Sequence, residues 1–350
     1  MDGSMRAVRF YAPGEIKVER VQMPNVNPEE ILVQVKAVLT CGTDVKMYKR
    51  GHPKVKPPVI LGHEFSGTVV KVGKNVENRF KVGDNVAVAN SAPCNRCIFC
   101  KIGKHNLCQN LFETLIGFSV DGAFAEYIRV PAPIVEQNTY KIPENVSFEE
   151  AALLEPLACA INGIDAANIS LGDTVVIIGS GPIGLMHLQL AKMKGSSKVI
   201  VTDMRDERLK VAEMLGADVL INARKEDQVS RVKEVTAGMG ADVVIEAVGL
   251  PQTWELAVQM TRKAGTTLFF GGCPSGSKIT LDTERIHYED LTLKGIFHHT
   301  PLSVFKAYKM ISTGKFNGKP LISVHMPLEE TEKALQKMEK GEYIKVAIMP

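Results

Sequence analysis

From Met5 to about Val130, apolar and polar positions alternate in short runs at 6–10, 31–39, 68–72, 85–89 and 125–130. A period of two over such lengths is the signature of half-buried strands, so each run is read as β. Pro13-Gly14, Pro57-Pro58, Gly73 and Gly83 punctuate them, and no amphipathic stretch before Ser147 exceeds two or three helical turns. Beyond Ser147 the pattern changes. Continuous apolar runs at 174–178, 198–202, 218–221, 242–246 and 266–270, with a sixth at 291–293, are separated by helical stretches. Strands alternating with helices predict βαβ units, hence a parallel sheet covered on both faces. The tail is expected to give a helix at 303–313, a strand at 321–325, a helix at 328–340 and a strand at 343–348, and to rejoin the first part.

The fold class expected is therefore α/β in two domains: a mostly-β domain from 1–152 with 294–350, and a doubly wound domain at 153–293. A chain of 350 residues has the length for two cores. Its 45% hydrophobic and 23% charged residues exclude disorder, collagen-like repetition and coiled coil. A net charge of +3 gives no field that calls for nucleic acid or a membrane surface as partner. No apolar run approaches the roughly 18 residues of a membrane span, since Gly179, Ser180, Gly181, Pro182 and Gly184 interrupt the most hydrophobic stretch. The N-terminus has no apolar signal region, and Gly3-Ser4 before a second Met resembles an expression remnant. Four of seven cysteines crowd between Cys94 and Cys108, which suits metal ligation in a reducing compartment, with the cytoplasm as the expected location.

Gly179-Ser180-Gly181-Pro182-Ile183-Gly184 follows the run 174–178 and opens a helix, and Asp203 ends the next strand. Glycines there let backbone N–H groups and a helix N-terminus approach a pyrophosphate, while the acid accepts from a ribose diol. A bare strand-to-helix turn would not need the acid. Gly179, Gly181, Pro182, Ile183, Gly184, Asp203 and Arg208 are the expected cofactor contacts. The Asp203 carboxylate would repel a 2′-phosphate, which favours NAD over NADP, although Arg205 and Arg208 lie near it in sequence and act in the opposite sense.

Cys94, Cys97 and Cys100, followed by Cys108, place four thiols within fifteen residues on a loop with Pro93, Gly103 and Asn106. Four thiolates suit tetrahedral zinc, and a site whose ligands are all protein atoms is structural. A redox Cys-x-x-Cys pair, or a ribbon touching nucleic acid through Arg96, Lys101, Lys104 and His105, would leave the dinucleotide domain unexplained. A third, dispersed set is Cys41-Gly42-Thr43-Asp44, Gly62-His63-Glu64 and Glu155-Pro156.

With these three sets in this order, the chain resembles the zinc-dependent medium-chain dehydrogenases, in their polyol (sorbitol-like) and L-threonine dehydrogenase branch, over essentially its whole length. The resemblance implies a GroES-like catalytic domain, a Rossmann domain and two zinc ions per chain. It assigns the catalytic zinc to Cys41 and His63 with Glu155, Glu64 being an alternative or exchanging ligand, and it gives the first proton transfer to Thr43. Val248 and Phe297 are implied as further cofactor contacts. Where many relatives have a relay histidine this chain has Lys46, leaving His52 or the cofactor ribose with solvent. The expected reaction oxidises a secondary alcohol, a polyol or sugar derivative, to the ketone. L-Threonine 3-dehydrogenase and a general secondary-alcohol dehydrogenase are the alternatives. His298 stands where polyol enzymes often carry Arg, and His298 and His299 are expected to offer hydrogen bonds to the substrate; Met47, Tyr48 and Phe118 fall at pocket-wall positions. Expected partners are a small-molecule alcohol and further copies of the chain, as tetramer or dimer. A non-catalytic NAD-binding or zinc-ribbon protein would not need Cys41, Thr43, His63 and Glu155 together, and a zinc-free quinone reductase of the same fold would lack both thiol-bearing sets.

Overall fold

The structure, a computed structural model, describes residues 3–350. They form two compact units: one runs to Ala158 and resumes over His299–Pro350, the other is Cys159–His298. The divisions at 158/159 and 298/299 differ from those expected at 152/153 and 293/294, and the first lies within helix Leu154–Ala167, leaving Glu155 in the first unit.

In the first unit β1 (Ser4–Ala12) pairs antiparallel with β2 (Glu15–Gln22) on one side and β4 (Val59–Ile60) on the other. No residue of β2 is fully buried. Ile16 and Val18 alternate with charged residues, and Ile16 and Val21 pack partly buried against the core, but the pattern is short and broken by Glu19-Arg20. The second sheet is built on β3 (Ile31–Leu39), which pairs antiparallel with β5 (Glu64–Val72) and with β7 (Tyr127–Val130). Beyond β5 follow β6 (Asn85–Val88) and β8 (Thr139–Lys141). β5 starts at Glu64, ahead of the expected 68, because Glu64, Phe65, Ser66 and Gly67 are all buried and show no polar–apolar period. Phe10, Phe65 and Phe124 are the largest fully buried side chains of this core.

In the second unit six strands run parallel: β9 (Thr174–Ile178), β10 (Lys198–Asp203), β11 (Val219–Asn222), β12 (Ala241–Glu246), β13 (Thr261–Phe269) and β14 (Thr292–Gly295). Their order is β11-β10-β9-β12-β13-β14. This is the doubly wound arrangement, and its order reverses between β9 and β12, where such sheets open a ligand crevice at the carboxyl ends of the strands. β13 begins earlier than 266, with an irregularity that puts Ala264 at φ 56°.

The C-terminal segment returns to the first unit as β15 (Ile322–Pro327) and β16 (Lys345–Met349), with β16 antiparallel to β3. Among the described residues no helix is long and apolar enough to cross a membrane.

Candidate functional site

The register of the second sheet assembles the dispersed set. Leu39, the last residue of β3, pairs with Glu64, the first of β5, so Cys41 just past one strand and His63 just before the other meet at one sheet end. Cys41 caps helix Gly42–Arg50: its sulfur accepts the Thr43 N–H at 3.4 Å, and its own N–H donates to Asp44 Oδ2 at 2.9 Å. Ligand atoms of Cys41, His63 and Glu64 all lie within 4.8 Å of one another. This set of sulfur, imidazole and carboxylate fits a zinc ion. Glu155 falls outside that trio but is 5% exposed. Thr43 is half-buried on the first turn of the same helix as its cap.

Two residues complete the site that sequence reasoning did not assign. Asp44, fully buried, places Oδ1 3.2 Å from His63 Nδ1, a charge contact rather than a well-aligned hydrogen bond. Burial penalises the imidazolium, but Asp44 and Cys41 outweigh it and hold the His63 pKa well above its ordinary value. An imidazole turned by a carboxylate on one nitrogen offers the other to a metal. Lys345, 1% exposed, donates to the Glu64 carboxylate and, at 3.1 Å, to the Thr40 carbonyl. Burial opposes its charge, yet Glu64 first, with Cys41 and Glu155, raises its pKa. The bonds between Thr40 and Val346 bring Lys345 opposite the Cys41 end of β3.

Cys94, Cys97, Cys100 and Cys108 also lie within 4.8 Å of one another. Four sulfurs about 2.3 Å from one tetrahedral ion stand roughly 3.8 Å apart. Cys97 Sγ is 3.5 Å from Cys100 Sγ and 4.0 Å from Cys108 Sγ. Backbone N–H groups of Gln109 and Cys100 lower the Cys97 pKa, while burial raises that of Cys100. The donor set fits zinc.

In the second unit Gly179 follows β9 at φ 96°, and a Cβ on Gly184 would stand 1.8 Å from the Gly179 carbonyl oxygen. Only glycine permits this close turn into helix Pro182–Met193. Asp203 Oδ2 accepts the Ser180 N–H at 2.8 Å and Oδ1 the Arg205 N–H at 3.0 Å, so the acid at the end of β10 braces the glycine loop. Burial, with Arg205, lowers the Arg208 pKa against the attraction of Asp203.

These sites can be set against known proteins. Residues 27–144 match the family model of the alcohol dehydrogenase GroES-like domain, and residues 182–313 that of zinc-binding dehydrogenase. The chain is 36% identical to a sorbitol dehydrogenase of Bacillus subtilis (strain 168), over 99% of the chain and 98% of that protein. The chain belongs to the zinc-dependent medium-chain dehydrogenases, on their polyol and threonine branch. An L-threonine 3-dehydrogenase of Bacillus licheniformis is 35% identical over the full length of both chains. A solved zinc-binding dehydrogenase from Sinorhizobium meliloti 1021, bound to NADP, superposes with a TM-score of 0.92 at 33% identity, covering 99% of each chain.

Within this zinc-binding dehydrogenase the remaining expected residues divide. His299 is 3% exposed and its Nε2 lies 3.0 Å from Asn90 Oδ1, within the first unit. Met47 is core, and the Tyr48 hydroxyl bonds to Glu332 at 2.5 Å. Both are packing. Phe118 does border the candidate metal site: its ring centroid is 5.8 Å from that of His63 and 5.6 Å from that of His52. His52 Nδ1 accepts the Lys54 N–H at 3.2 Å. Val248 and Phe297 are 42% and 52% exposed.

Proposed function

We propose that this oxidoreductase binds two zinc ions and NAD, and oxidises a secondary alcohol flanked by further hydroxyls, a polyol or sugar derivative, to the ketone. The observation that carries the reading is the convergence of Cys41, His63 and a carboxylate on one sheet end, beside a separate four-thiol site. Zinc in such a ligand set supplies a Lewis acid that lowers the pKa of an alcohol, and the nicotinamide supplies a hydride acceptor. Cys41 and His63 hold the metal with Glu155 or Glu64; Asp44 orients His63; Thr43 takes the first proton. Cys94, Cys97, Cys100 and Cys108 brace their loop.

NAD is favoured because the Asp203 carboxylate meets a diol with acceptors and a phosphate with repulsion. We expect kcat/KM for NAD to exceed that for NADP by at least about tenfold, since burying a phosphate against a carboxylate costs more than 1.4 kcal/mol. Asp203→Ala should erode that ratio. Parity in the wild type, or an unchanged ratio in the variant, would assign selectivity to Arg205 or Arg208.

The polyol assignment is supported by the carboxylate in the ligand set and by the sorbitol dehydrogenase relative. Similar identity to L-threonine 3-dehydrogenase keeps threonine as the second reading. A site that hydrogen-bonds hydroxyls rejects analogues lacking them by up to about 10,000-fold. Four- to six-carbon polyols should therefore surpass 2-butanol and L-threonine in kcat/KM; equal or better turnover of either would replace the assignment.

A further inference from the structure

We infer that Glu246, which no sequence motif singled out, is a positioning residue for the nicotinamide half of the dinucleotide; the inference rests on the cofactor reading above. Glu246 is the last residue of β12, on the far side of the sheet reversal from the glycine loop that follows β9. In a doubly wound sheet the two mononucleotide halves of the cofactor lie on the two sides of that reversal. Asp203, at the end of β10, belongs to the adenosine side. The segment after β12 therefore belongs to the other.

That segment is held by one side chain. Glu246 is 0% exposed, and its Oε1 accepts the N–H groups of Val248 and Gly249, each at 2.9 Å, and the Thr253 hydroxyl at 2.7 Å. Two successive backbone donors on one oxygen fold the chain sharply back, with Gly249 at φ 84°. The backbone of Glu246 is fixed as well: its carbonyl accepts from Phe270 at 3.0 Å and Gly271 at 2.9 Å, and Ala247 N–H donates to Ile178 at 2.9 Å. Val248 is thereby pressed onto the glycine loop, its Cγ2 2.6 Å from where a Cβ on Gly179 would stand. A carboxylate kept in an apolar interior is costly unless its bonds repay it. Here they shape the lip of the crevice: Val248 remains 42% exposed while its N–H is turned inward.

The test uses the full-length protein and two probes, NADH and AMP, the second reporting the adenosine side alone. Glu246→Gln keeps the shape and removes the charge that strengthens all three bonds. The dissociation constant of NADH, measured by calorimetry, should rise about tenfold, as expected when several charge-assisted bonds become neutral ones. That of AMP should stay within about twofold, and zinc content should not change. Thr253→Val, which removes a single donor, should move NADH in the same direction by a smaller factor, and decides the matter by the same comparison if the first variant does not fold. Unchanged NADH affinity, or NADH and AMP weakening together, would overturn the inference and leave Glu246 a general structural residue. Failure of the wild-type protein to bind NADH, NADPH or AMP would instead overturn the cofactor reading.

Discussion

His63→Ala is expected to cut kcat/KM by roughly 1000-fold or more, the several kcal/mol a Lewis acid supplies at about 1.36 kcal/mol per decade. The imidazole is 4% exposed, lies against Phe118 and faces Asp44 at 3.2 Å, so removing it deletes a proposed metal ligand and leaves the buried Asp44 Oδ1 without its charge contact. Metal analysis should then find one zinc per chain, against the two proposed for the wild type. Cys97→Ser should remove the other ion, lowering thermal stability and sparing the Cys41 set. Asp44→Asn should cost about 10- to 100-fold in metal affinity, as loss of an orienting partner does. A wild type with fewer than two zinc ions, or turnover that survives His63→Ala, would refute the assignment.

The parts of the site that lie close together in sequence were legible without coordinates. Cys94, Cys97, Cys100 and Cys108 announce themselves by spacing, because a short loop needs no long-range information to bring four sulfurs together. The glycine loop and Asp203 did so as well, since strand, turn, helix and acid are consecutive. What was hidden is what the register decides. Lys345 sits in an ordinary-looking strand, KVAIM, and its partner Glu64 is 281 residues away. Only the pairing of β16 on β3, and of β3 on β5, turns that lysine inward. The Asn90 partner of His299, 209 residues away, was hidden in the same way. β2 was missed for a different reason: its alternation at Ile16 and Val18 is short, and its apolar residues are only partly buried where they meet the core. Glu246 escaped for another reason: a single acid ending a strand looks like any polar strand terminus until its two backbone donors are seen.

Lys345→Met should be the most destabilising single change at the catalytic end of the sheet. The side chains of Lys345 and Glu64 are 2% and 1% exposed, so neither ion has water to fall back on. Breaking a buried pair by removing one partner typically costs about 3–5 kcal/mol, because the other charge is left uncompensated. The Thr40 carbonyl loses its donor as well. Asp44 adds further negative charge around Glu64, so the lysine is its main compensation from the protein. Urea unfolding of the zinc-loaded protein should show that loss as a shifted midpoint with unchanged slope. The second arm is the double variant Lys345→Met with Glu64→Gln, in which no buried charge is stranded. It should recover most of the stability, giving a coupling well above 1 kcal/mol, since contacting residues are non-additive. A single variant within about 1 kcal/mol of the wild type, or a double variant no better than the single, would mean that Glu64 finds its compensation elsewhere, with zinc the candidate. In that event the carboxylate bound to the metal would be Glu64, and Glu155→Gln should leave zinc content intact.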